Sequence, residues 1–188
     1  MVLQNKLLTA CLVNQAISLI AAKLRWYFYS TRELLFSLNQ TNEEFNMKTS
    51  ARNQFTGIVS EVLIGAVNAE VHVGLKGGET IVASITKESV EKLAIKTGQE
   101  VIALVKAPQV IIVTDFGGYK VSARNQLPGT ITQVKPGAVN TEVDIELKGG
   151  EQVTATVTND SVETLGLRKG QSATAIFKAG AVILAVAG

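Results

Sequence analysis

SARNQFTGIVSEVLIGAVNAEV, Ser50 to Val71, is answered later in the chain by SARNQLPGTITQVKPGAVNTEV, Ser122 to Val143. An offset of 72 residues separates Ser50 from Ser122, and the same offset carries the match onward without a gap. LKGGE at Leu75 recurs at Leu147, and TKESVEKLAIKTGQ at Thr86 is answered by TNDSVETLGLRKGQ at Thr158. Lys106-Ala107 recurs as Lys178-Ala179, each ahead of an apolar run. A unit of this length that occurs twice is a duplicated small domain, because solenoid layers are shorter and more numerous.

Within one copy the pattern is mostly β. Phe55 to Leu63 and Val67 to Leu75 alternate and carry β-branched residues, Gly77-Gly78 reads as a tight turn, and Thr80 to Ile85 continues as a strand. At Thr86 the period changes to an N-capped short helix with an acid in its first turn, left at Gly98 before strands over Glu100 to Lys106 and Val110 to Thr114. Five short strands with one helix per copy predict an all-β chain of two tandem OB-like β-barrels, residues 48–119 and 120–188, since closure limits exposed edges. Copies of about 70 residues sit near the lower size limit for an independent core, so each is expected to pack against its twin or other subunits. GAVN and LKGGE both read as turns in which glycine supplies a positive φ, and neither has the context of a Walker or dinucleotide-binding loop.

Residues 1–46 are different. They hold the only Trp, the only Cys (Cys11) and six of the ten aromatic residues. Their apolar run from Leu7 to Ala22 is broken by Asn14 and Gln15 and is short for a membrane span. We read this segment as a helical N-terminal extension, with a signal or anchor as the lesser alternative, or as sequence that is not translated, because Met47 opens MKTSARNQF directly ahead of the first copy.

Composition narrows the function classes. With 188 residues, 46% hydrophobic and 18% charged, the composition is that of an ordinary globular protein, and we expect it to be cytoplasmic with no membrane partner. A net charge of +2 is too mild for a nucleic-acid binder but leaves room for a small anion held by local cations. Stacking aromatics for single strands are sparse in the copies, only Phe55, Phe116, Tyr119 and Phe177. One Cys allows no intrachain disulfide, and a single His, His72, argues against a zinc cluster. His72 is answered by Asp144, no nucleophile sits beside a base, and Glu70 and Glu142 read as part of a solvated strand face. We therefore expect no enzyme.

The polar residues kept in both copies are donors. Ser50, Arg52, Thr86, Ser89 and Lys106 recur as Ser122, Arg124, Thr158, Ser161 and Lys178. They are hydroxyls and cations without a partnering acid at each place, and that inventory donates hydrogen bonds as a tetrahedral oxyanion requires. Thr86 and Ser89 also stand at a helix start. Taken singly, Thr86 is a helix cap, Lys106 a solvated strand-end lysine and Arg52 a surface charge, and a duplication copies structural residues as faithfully as functional ones.

SARNQFTGIVSEVLIGAVNAEV, TKESVEKLAI and VIALVKAPQVIIV resemble the Mop, or molybdenum-pterin-binding-protein, domain, and two copies in tandem resemble a di-Mop molbindin. The resemblance covers about residues 48–188 and both copies carry its motifs. It implies OB-like barrels that assemble as homotrimers, with molybdate or tungstate held between domains of neighbouring subunits, and a role in intracellular molybdenum storage or homeostasis. By motif match the oxyanion is met by Ser50 and Arg52 from one domain and by Thr86, Ser89, Lys106 and the Ala107 amide from another. Ser122, Arg124, Thr158, Ser161, Lys178 and Ala179 form the equivalent set, and Val67, Asn68, Val139 and Asn140 fall near additional anion sites. One departure is Gly180 where the first copy has Pro108, which predicts a less rigid backbone beside Lys178. The resemblance also admits the ligand-sensing portion of a molybdate-responsive transcription regulator lacking its DNA-binding domain. No metal cation ligands are expected.

Overall fold

A computed structural model describes residues 47–187. The extension read as helical lies outside the described residues. The first copy runs β1 (Asn53–Ile64), β2 (Asn68–Gly74), β3 (Thr80–Thr86), α1 (Lys87–Lys92), β4 (Glu100–Val105) and β5 (Ile111–Val113). The second repeats the order as β6 (Asn125–Pro136), β7 (Asn140–Leu147), β8 (Gln152–Thr158), α2 (Asn159–Leu165), β9 (Ser172–Phe177) and β10 (Ile183–Ala185). Alternation produces these strands: over Asn53 to Val59 every second residue of β1 is buried and its neighbours face water. Each helix is short and capped by the expected threonine, Thr86 or Thr158, in an extended conformation.

The fold is all-β, built as two five-stranded sheets, but a sheet is not a copy. One sheet has the order β10-β4-β1-β2-β3 and the other β5-β9-β6-β7-β8. The copies exchange their last strands. Leu184 of β10 lies opposite Ala103 of β4, and Ile112 of β5 lies opposite Ala175 of β9. β10 also approaches β3, and β5 approaches β8, which curls each sheet toward closure as an OB-like barrel. The long first strand of each copy serves two neighbours. β1 pairs with β4 along its first half and β2 along its second, and a register shift between Val59 and Glu61 accommodates the bend.

The core is likewise common to both copies. Val59, Val71, Val73, Ile81 and Val101 belong to the same buried cluster as Ile131, Val143, Ile145 and Val153, joined by Ile112 and Leu184 from the exchanged strands. Two contacts tie the copies further. At the Gly-Gly turns, a Cβ on Gly77 would lie 2.6 Å from the Gly149 backbone, so the turns touch backbone to backbone. Positive φ belongs to their second glycines, Gly78 and Gly150. Gly65 and Gly137 do not have the positive φ expected of GAVN. A side chain is excluded there because its Cβ would meet the Asn68 or Asn140 carbonyl oxygen at 2.8 or 2.7 Å.

The second contact is the asparagine of SARNQ. Buried Asn53 accepts from the Thr154 N–H at 2.7 Å and donates to the Thr154 carbonyl at 2.9 Å. Asn125 does the same with Val82 on β3, at 2.7 and 2.8 Å. β8 and β3 are the outer strands of their sheets. Each asparagine amide therefore imitates a neighbouring backbone and closes part of the other copy's edge.

Candidate functional site

The candidate donors gather in three places. The first is the helix cap. Thr86 Oγ1 accepts from the Ser89 amide at 3.1 Å and the two hydroxyls lie 2.7 Å apart, with Thr158 and Ser161 matching at 3.2 and 2.8 Å. Val67 and Asn68 belong to the same neighbourhood, because the Lys87 amide donates to the Val67 carbonyl and Asn68 lies opposite Thr86 in the β2–β3 ladder. Val139, Asn140 and Thr158 repeat this arrangement. Asn68 also lines an open hollow of about 380 Å3 with Gly65, Glu70 and Ser84.

The second place is the end of the sheet where SARNQ enters. Asn53 lies opposite Val105, so Ser50 and Arg52 approach the same end as Lys106 and the single 3₁₀ turn Ala107–Gln109. In the second copy this end opens into a groove of about 660 Å3 that includes Ser122 and Lys178. Gln109 and Ile111 of the first copy form part of its wall, a direct result of the strand exchange. Lys106 and Lys178 are both exposed. Gly180 does not change the turn: Lys178 enters it at φ −73° and ψ 145°, close to the −72° and 134° of Lys106. Within one copy this end and the helix cap lie at opposite ends of the first strand.

The third place joins the copies. Arg52 reaches Glu142 at 2.9 Å, and Arg124 pairs with Glu70. This corrects the expectation of cations without a partnering acid and of glutamates on a solvated face. The signal was in the sequence, since Glu70 recurs as Glu142 at the repeat offset. Glu142 lies opposite Thr156, one same-face step from the Asn140–Thr158 pair. The ladder position of Glu142, which holds Arg52 of the other copy, is thus two residues, about 7 Å of strand, from that of Asn140 and Thr158. The pairs are solvent-accessible, with Arg52 64% and Arg124 55% exposed, so each guanidinium can exchange its carboxylate for another anion at small cost.

Among the described residues no group of three or more His, Cys, Asp or Glu could hold a metal ion, and no helix is long and apolar enough to cross a membrane. The arrangement offers paired hydroxyls, guanidinium groups and ammonium groups, a set suited to reversible capture of an oxyanion.

The chain is similar to known proteins. The family described as TOBE domain matches residues 49–112 and 121–184. The molybdenum transport protein ModE of Herbaspirillum seropedicae is 47% identical over 141 residues, 75% of this chain and 52% of that protein. The molybdenum-pterin-binding protein MopA of Rhodobacter capsulatus is 41% identical over 140 residues, 74% of this chain and 53% of that protein. The chain thus spans about half the length of these curated relatives. A structure of the cytoplasmic molybdate-binding protein ModG with molybdate bound superposes with a TM-score of 0.73 at 50% identity, covering 75% of this chain and 100% of that one. Two matched domains in tandem, on a fold shared along the whole of that structure, establish that the chain belongs to the TOBE-domain family as a tandem Mop-domain member.

Proposed function

We propose that this chain binds molybdate, with tungstate as the related alternative, as a non-catalytic cytoplasmic protein of molybdenum storage or homeostasis. The observation that carries the proposal is the doubled donor set of Arg, Lys and paired hydroxyls on a fold shared with a molybdate-bound relative. One oxyanion would be met by Ser50 and Arg52 together with Thr86, Ser89, Lys106 and the Ala107 amide, and a second by Ser122, Arg124, Thr158, Ser161, Lys178 and Ala179. The helix cap and the SARNQ end of each copy are separated along β1 or β6, so the two halves of each set come from different copies, and we place those copies in neighbouring subunits of a homotrimer. Exposed apolar residues support an assembled state: Val67 is 74% exposed, Val139 73% and Ile64 59%, all beside the GAVN loops. Val67, Asn68, Val139 and Asn140 are the candidates for additional anion sites there.

The paired glutamates bear on selectivity. Rejection of hydrogen phosphate would follow from a site without any carboxylate to accept its proton, and Glu70 and Glu142 remove that ground. Discrimination then falls on cavity size, with the larger molybdate preferred over both sulfate and phosphate. Calorimetric titration with each anion tests this. Molybdate should bind most tightly, and Lys106→Ala combined with Lys178→Ala should weaken it roughly ten- to a hundredfold, the scale of a lost hydrogen bond to a charged group. Equal heats for sulfate and molybdate, or none for either, would sink the proposal.

A further inference from the structure

The two copies differ where their arginines are held. Glu70 Oε1 receives two partners, Arg124 and His72, whose Nε2 lies 2.8 Å away. The other ring nitrogen of His72 faces Glu61 at 3.7 Å. In the second copy each member of this cluster is replaced except the glutamate and its arginine. Asp144 stands in place of His72, Gln133 in place of Glu61, and Lys135 in place of Leu63. Asp144 turns away to Lys135 at 3.2 Å and to the Thr154 hydroxyl at 2.7 Å, leaving Glu142 with Arg52 as its ion-pair partner among the described residues.

We propose that His72 is a positioning residue that makes the two arginine sites inequivalent, rendering anion capture by Arg124 more dependent on pH than capture by Arg52. The inference rests on the reading of Arg52 and Arg124 as oxyanion ligands. The charged groups around the imidazole are Glu61 on β1, Glu70 on its own strand and Arg124 from the segment entering β6. Its partner across the ladder on β3 is the uncharged Val82.

Histidine is the side chain whose charge commonly changes between about pH 5 and 8. A neutral imidazole has one N–H, whereas the cation donates from both nitrogens and engages both Glu70 and Glu61. The cation then competes with Arg124 for the same carboxylate oxygen. It also adds a positive charge beside the site. Both effects act in one direction: as pH falls, Arg124 is released to the anion and binding there tightens. At the scale of an exposed ion pair the change is roughly two- to fivefold.

The test is molybdate titration at about pH 6 and about pH 8, spanning that range. It compares the full chain with its Arg52→Ala, Arg124→Ala and His72→Gln variants, each checked for folding by circular dichroism. Arg52→Ala retains the Arg124 site and should bind more tightly at the lower pH. Arg124→Ala retains the Arg52 site and should show only the smaller change that comes from the anion's own protonation. His72→Gln keeps a donor toward Glu70 without the titration, and should reduce the full chain's profile to that background. The inference is overturned if the two arginine variants share one pH dependence, or if His72→Gln leaves the profile intact. Absence of molybdate binding by the unaltered chain at both pH values would instead overturn the functional reading, and this inference with it.

Discussion

The SARNQ block works at the level of single side chains, and each of its polar residues has a different task. Asn53 is buried and spends both of its amide functions on the backbone of Thr154, 101 residues away, while Arg52 beside it remains in water. Asn53→Ala would leave the Thr154 N–H and carbonyl without those partners. An unsatisfied buried group costs about 1–3 kcal/mol, so a loss of about 2–4 kcal/mol is expected in urea unfolding. Gln54→Ala, exposed next to it, should stay within about 0.5 kcal/mol. Equal effects of the two would mean that the edge contact carries no weight. In the sequence Asn53 is visible only as a residue that recurs, as Asn125, and nothing there names its partner. A side chain that completes another strand's ladder leaves no periodic trace near itself, and its partner Thr154 is answered by Val82, since the contact is to backbone. The Arg–Glu pairs were legible in principle, because both members recur at the repeat offset. An alternating strand gives the same pattern whether its exposed glutamate meets water or an arginine.

Among the elements, strands and helices followed closely from alternation and capping: the helix predicted after Thr86 begins at Lys87, and the strand predicted from Glu100 begins there. The partners of β5 and β10 did not follow. A three-residue apolar strand buries its side chains equally well on either sheet, and duplication makes β4 and β9 nearly interchangeable as templates. The connection out of β4 decides it, since Lys106 and the 3₁₀ turn direct the chain toward the other copy. The exchange can be tested with Leu184, which is buried and lies opposite Ala103. Leu184→Ala should cost about 2–5 kcal/mol. Hydrogen exchange should show the first loss of protection at Ile102, Ala103 and Leu104 of β4, the residues paired with β10. Loss confined to β9 would instead return β10 to its own copy.

For the molecule as a whole, exchange and a shared core turn two sequence repeats into one cooperative body. A chain of about 70 residues buries a smaller share of its unfolded surface than a larger domain does, and here neither copy closes its sheet without a strand from its twin. The Gly77–Gly149 contact and the two asparagine bridges add connections that a pair of tethered, independent barrels would lack. A perturbation in the second copy should therefore be felt in the first. Ile131 is fully buried within the common cluster. Ile131→Ala should cost about 2–5 kcal/mol and lower the melting temperature by roughly 5–15 °C. Scanning calorimetry on a chain beginning at Met47 should show one endotherm that moves as a unit, because the two barrels cannot lose their exchanged strands separately. Two endotherms, one of them unmoved by the substitution, would mean that the copies unfold independently and that the strand exchange does not couple them.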